Sequence, residues 1–129
     1  MREIKFRGYG KDKKQWIYGS LLDEKSVGIV AIQDDDCHVW EVDPESVGQF
    51  TGLLDSNGKE IYEGDILRFA PPWRWEEDER RVGVVVYKCY GFRIEYSDTS
   101  EAVFNLAANK APYTVIGNIH DNPELLTKD

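Results

Sequence analysis

Cysteine is nearly absent from this sequence: Cys37 and Cys89 are the only two among 129 residues. That excludes a multiply crosslinked secreted scaffold and reads as reduced thiols of a cytoplasmic protein, although a pairing of the two is compatible with the sequence. Long apolar runs are missing too. None approaches the roughly 20 residues that a membrane span requires, and the opening "MREIKFRGYG" lacks the apolar centre of a secretory signal, so the expectation is a soluble chain with no membrane partner. Positive charge is in deficit, with 16 basic residues against 24 acidic ones and a net charge of -8. Such a balance opposes general affinity for nucleic-acid phosphates; it serves solubility or, alternatively, mimicry of nucleic acid toward a basic partner. The sequence also contains no glycine-rich phosphate loop, no Gly-x-Ser-x-Gly elbow, no paired-cysteine zinc motif and no HExxH. Nothing positive therefore points to an enzyme, a metal or a cofactor.

What the chain does contain is the period of β-structure. Ile4 and Phe6 alternate with Glu3, Lys5 and Arg7, which places the apolar pair on one face of an extended segment. Lys11 to Lys14 turn the chain, and a second strand follows from Trp16 to Leu22. "VGIVAI", residues 27 to 32, is rich in the branched side chains that favour sheet and is closed by Asp34 to Asp36. Cys37 to Val42, a bend at Asp43-Pro44 and "VGQFT" from Val47 complete a first half of about five short strands. The second half repeats the style with Ile66 to Phe69, "VGVVVYKCY", "GFRIEY", "AVFNL" and "YTVIG", with Gly91 as the expected hairpin turn. Five such strands suit a small SH3-like barrel. Helix is scarce: Asn122 as cap, Pro123 and Glu124 predict about one turn near the end.

Residues 49 to 69, "QFTGLLDSNGKEIYEGDILRF", concentrate the turn signals. Asp55, Asn57 and Gly58 resemble the start of a calcium loop, but the glycine stands fourth from the first aspartate instead of sixth, and no bidentate glutamate follows in register. Asn57-Gly58 between Leu53-Leu54 and Ile61-Tyr62 predicts a hairpin with a type I′ turn. Glu63-Gly64-Asp65 predicts a second turn. Glu60, Glu63 and Asp65 could serve a hydrolase only if their environments split their acidities, so structural carboxylates are the simpler reading.

Cys37, His38, Cys89 and His120 supply the atoms of a zinc site, yet neighbours on a strand point to opposite faces, which separates Cys37 from His38. Cys89 with His120 could form a nucleophile pair but has no local signature, and a small core residue is the plainer reading of Cys89. His120 beside Asp121 could titrate near neutral pH, or simply stand in a surface turn. In "APPWRWEEDERR", residues 70 to 81, Trp73, Arg74, Trp75, Arg80 and Arg81 have the make-up of a protein interface. Stacking on single strands would use the same side chains, against the local field of Glu76 to Glu79.

"MREIKFRGYG", "VDPESVGQFTGLLDSNGKEIYEGDILRF" and "VIGNIHDNPELL" together resemble the three signatures of the YopX-like family of phage and prophage proteins, in order and over nearly the whole chain. Gly8-Tyr9-Gly10 and His120 depart mildly from the family pattern. The resemblance implies an all-β protein of two small subdomains, the second SH3-like, that forms homo-oligomers and has no established activity. The expectation is an N-terminal β subdomain over residues 1–51, a connecting hairpin over 52–65 and an SH3-like barrel over 66–129. The function expected is a phage-encoded, non-enzymatic accessory module that binds itself and a host or phage protein. A nucleic-acid-associated protein and a carboxylate hydrolase are the alternatives.

Overall fold

The computed structural model describes residues 4–24, 28–69, 81–88, 91–96, 103–105 and 113–126. Eleven strands appear among them, and the chain divides into two compact units, Met1–Gly52 and Leu53–Asp129. The mainly β class expected from the alternation is what the structure has.

The strands β1 (Phe6–Tyr9), β2 (Trp16–Glu24), β3 (Ile29–Gln33), β4 (Val39–Glu41), β5 (Gly48–Leu54) and β6 (Glu60–Tyr62) make one six-stranded sheet in the order β4-β3-β2-β1-β5-β6, of which β1 to β4 lie wholly in the first unit. Pairings such as Leu21 with Ile32 and Ile32 with Trp40 put the odd residues of β2 on one face. That face is the core: Ile17, Ile32 and Val42 are buried, with Phe6, Leu21, Val30, Trp40 and Val47 packed against them. Ile32 has no exposed surface, and complete burial of such a side chain stabilises the fold by about 1.5–3 kcal/mol. Gly8 lies over this core because nothing larger fits: a Cβ there would stand 2.8 Å from a methyl of Val42. After β4, Asp43 accepts from the Glu45 amide and Pro44 opens a 3₁₀ turn, Pro44–Ser46. The Ser46 hydroxyl donates to the Asp43 carbonyl and accepts from the Tyr9 amide, tying that turn to β1.

The second unit carries β7 (Asp65–Phe69), β8 (Arg81–Lys88), β9 (Gly91–Tyr96), β10 (Val103–Asn105) and β11 (Tyr113–Asn118), ordered β10-β9-β8-β7-β11 and antiparallel throughout. Among the described residues, no pairing joins the two outer strands β10 and β11. Ile61, Leu67, Val85, Ile94 and Tyr113 form its core, flanked by Leu53, Phe92 and Val115. Truncating Leu67, which has no exposed surface, to alanine would cost about 2–5 kcal/mol. Gly91, the expected hairpin turn, instead opens β9 with its backbone opposite Lys88, and residues 89 and 90 lie outside the described residues. Gly64, with φ of 92°, donates to the Val85 carbonyl and accepts from the Ile119 amide, so one glycine in a left-handed turn joins β8 to the segment after β11.

The C-terminal signature is a closed local network. Asn118 accepts from the amides of His120 and Asp121, while Asn122 donates its own amide to the Asn118 carbonyl. The expected single turn exists as a 3₁₀ turn, Pro123–Leu126. Its cap differs from the expectation: the Asn122 side chain reaches back to accept from the Asn118 amide. Gly117 makes room for this, since a Cβ there would stand 2.6 Å from Asn122 Oδ1.

Residues 55–59 form a hairpin turn as expected, but of another type. The Gly58 amide donates to the Asp55 carbonyl and the Asp55 amide to the Lys59 carbonyl, enclosing three residues. Gly58 has φ of 82°, whereas the described non-glycine residues with positive φ are Lys14 and Cys37, so Asn57 is not among them. This is a type I turn followed by a left-handed residue, not the type I′ turn that the Asn-Gly pair predicts. The Asp55 carboxylate explains the change, because gathering the amides that follow it favours a right-handed start to the turn.

Candidate functional site: an exposed sheet face and two aspartate turns

Opposite the core of the first unit, the sheet presents the even residues of β2 together with their cross-strand partners. Arg7 stands beside Tyr18, Ser20 beside Gln33, Leu22 beside Ala31, and Gln33 beside Val39. Tyr18, Leu22, Ile29 and Val39 expose 45, 42, 42 and 56% of their surface. Four large apolar side chains half open to water thus share one face, in rows with Arg7, Ala31, Glu24 and Gln33. At the β1 end of that face Arg7 is buried, its guanidinium 4.8 Å from the centre of the Trp16 ring, a cation–π contact of about 0.5–2 kcal/mol. At the β4 end stands Glu41, paired with Lys11 at 3.2 Å, both half exposed.

The turn from β3 to β4 adjoins this face. The Cys37 amide donates to the Asp34 carbonyl, the Asp34 amide donates to the His38 carbonyl, and Cys37 takes φ of 66°. Asp34 Oδ1 accepts from the amides of Asp36 and His38, and Oδ2 from the Trp40 indole at 2.8 Å. The indole bond is the main reason that the Asp34 carboxyl pKa is held below its ordinary value; partial burial opposes it, and the two amides reinforce it. Lys13 lies 4.3 Å over the Trp40 ring. Donor atoms of Asp34, Asp36 and His38 lie within 4.8 Å of one another. Both Asp34 oxygens already hold N–H groups, so the chemistry in evidence is turn formation.

The second aspartate turn, Asp55 to Lys59, repeats this design. Asp55 Oδ1 accepts from the amides of Asn57 and Lys59 at 2.8 Å each, and Oδ2 accepts from the Val115 amide at 3.0 Å. Asp55 is 8% exposed. Burial is the largest single influence and pushes its carboxyl up, but the amides of Val115, Lys59 and Asn57 and the charge of Lys59 together outweigh it. The carboxyl therefore sits below the ordinary range.

The other acids near this turn are separately employed. Asp65, 1% exposed, accepts from the Tyr62 amide at 2.7 Å, and Glu60 accepts from the hydroxyl of buried Tyr62 at 2.9 Å. Glu63 is half-buried in the turn after β6. Cys37 and His38 lie in a turn, where the argument about opposite strand faces does not apply, and it is Asp34 and Asp36 that accompany His38. His120 meets Asp121 at 3.3 Å in the second unit. Trp73, Arg74, Trp75, Arg80 and Cys89 lie outside the described residues. Arg81 begins β8 with its backbone opposite Phe69. Sequence reasoning missed the Tyr18–Leu22–Ile29–Val39 face and the reach of Asp55; alternation of Tyr18, Ser20 and Leu22 around buried Ile17 and half-buried Leu21 was the signal for the first.

An all-β chain with two antiparallel sheets and a repeated aspartate turn has known relatives. The family model described as YopX protein matches residues 5–127, and this chain belongs to that family. A crystal structure of protein EF1440 from Enterococcus faecalis is similar over 98% of this chain and 100% of that one, with 29% identity and a TM-score of 0.62. No curated protein matches the chain. Among the described residues no helix is long and apolar enough to cross a membrane.

Proposed function

We propose that this chain is a non-enzymatic, self-associating binding protein whose partners are proteins of the phage or its host. The observation that carries the reading is the outer face of the first sheet, where Tyr18, Leu22, Ile29 and Val39 stand half exposed. Ser20, Gln33 and Ala31 fill the rows between them. Apolar side chains with Ser20 and Gln33 among them, a single base in Arg7 and acids at Glu24 and Glu41 are the composition of a protein contact, not of a phosphate-binding surface. Residues 70–81, with Trp73, Arg74, Trp75, Arg80 and Arg81, have the amino-acid make-up of an interface and are a second proposed contact.

Light scattering at micromolar concentration tests the reading. Masses above 14.9 kDa are expected, falling back to it in Leu22→Lys and Val39→Lys, which each place a charge among the exposed apolar side chains of the face. A wild-type chain that stays at that mass at every concentration overturns self-association.

A further inference from the structure

β11 is an outer strand, with β7 on one side. Its other edge is covered by the turn from β5 to β6. The Ser56 amide donates to the Tyr113 carbonyl at 2.8 Å, the Val115 amide donates to Asp55 Oδ2 at 3.0 Å, and the hydroxyls of Ser56 and Thr114 meet at 3.3 Å. In a strand, the N–H and C=O of one residue point the same way and alternate from residue to residue. Tyr113 and Val115 therefore turn their backbone groups away from β7, and those groups are the ones a further strand would pair with. The turn supplies one backbone donor and one carboxylate acceptor in the places of a strand's N–H and C=O.

We propose that the Asp55–Ser56 turn is a fitted cover on this edge, and that the edge beneath it is a strand-addition site for a second copy of the chain. Self-pairing is set by geometry. Two copies of β11 run antiparallel about a two-fold axis at Thr114 would bond each Val115 amide to the other copy's Tyr113 carbonyl, replacing the two bonds the turn now makes. Thr114 would face Thr114 across the axis, a favourable cross-strand pair. Exposed edges are the usual route to unwanted association, and covering them is a known remedy.

The cover depends on a carboxylate in particular. Both sides of the Asp55 side chain meet N–H donors, so it must accept on both oxygens. An asparagine has one oxygen, and its amide would face a donor either in the turn or on Val115. Asp55→Asn thus unseats the cover with almost no change in volume. Ser56→Pro does so independently: it removes the N–H given to Tyr113 and leaves the carboxylate intact, at a turn position that favours proline.

Sedimentation equilibrium of the full chain reads the result, with circular dichroism establishing that each variant keeps its sheet. Asp55→Asn and Ser56→Pro are each expected to tighten dimerisation by about tenfold or more relative to wild type, the equivalent of about 1.4 kcal/mol. Adding Thr114→Lys, which sets two like charges across the axis, should return both to the wild-type value. Folded variants that associate no more than wild type overturn the proposal, as does association that Thr114→Lys leaves unchanged. Val39→Lys separates this edge from the sheet face of the first unit: a dimer lost with Val39→Lys but kept with Thr114→Lys belongs to that face.

Discussion

The turns Asp34 to His38 and Asp55 to Lys59 are the same device built twice. In each, an aspartate accepts the amides two and four residues ahead on one oxygen, the chain closes with the same pair of backbone bonds, and the fourth residue is left-handed. They part at the second oxygen. Asp34 gives it to the Trp40 indole, six residues away in the same hairpin, and Asp55 to the Val115 amide, sixty residues away on another strand. A carboxylate that only shapes its own hairpin is a local convenience, whereas one that also satisfies a distant strand holds tertiary structure. The comparison predicts that similar substitutions will have unequal effects.

The largest expected effect is that of Asp55→Ala. It leaves three amides without their acceptor in a nearly buried place, and should cost about 2–4 kcal/mol in denaturant unfolding. Asp34→Ala should cost clearly less, because its turn is open to water that can replace the lost bonds. Equal losses in the two variants would break the distinction between the turns.

The left-handed position sharpens it. Gly58→Ala puts a side chain at φ of 82° and should destabilise by about 1–2 kcal/mol, although the Cβ itself meets nothing within 4 Å. The first turn already bears such a penalty at Cys37, φ of 66°. Cys37→Gly should therefore stabilise, by up to about 1 kcal/mol after the added freedom of the unfolded chain is deducted. A loss of stability in Cys37→Gly would mean that the exposed thiol side chain has contacts that matter.

The smallest effect is that of pH. The folded-state pKa of Asp55 lies below its ordinary value, so its contribution is complete above an unfolded pKa of about 3.9 and fades as pH falls through the lower folded value. The stability gap between wild type and Asp55→Ala should be constant near neutral pH and narrow below about pH 4. A gap that persists unchanged into strong acid would show that the carboxylate charge is not what holds Val115.

Much of this molecule was legible because strand signals are short-ranged. Ile17, Ile32, Leu67 and Ile94 lie in alternating or branched runs and occupy the cores that alternation implies. The Asn57-Gly58 pair located a turn correctly and misnamed its type, since the preference of the pair for a type I′ turn yields to a carboxylate two residues earlier that gathers the amides. The Asn122 cap failed for a similar reason: Gly117 leaves space for its side chain to turn back to the Asn118 amide instead.

By itself the sequence determined where strands run and where they stop, because a pleat repeats every two residues and a turn is chosen by four or five neighbours. Tertiary structure alone decided which face of the first sheet stays open and that Asp55 answers to Val115. Both depend on strand order: β11 becomes an outer strand reached by the β5–β6 turn only once β7 has paired with it, and no local preference records a partner sixty residues away.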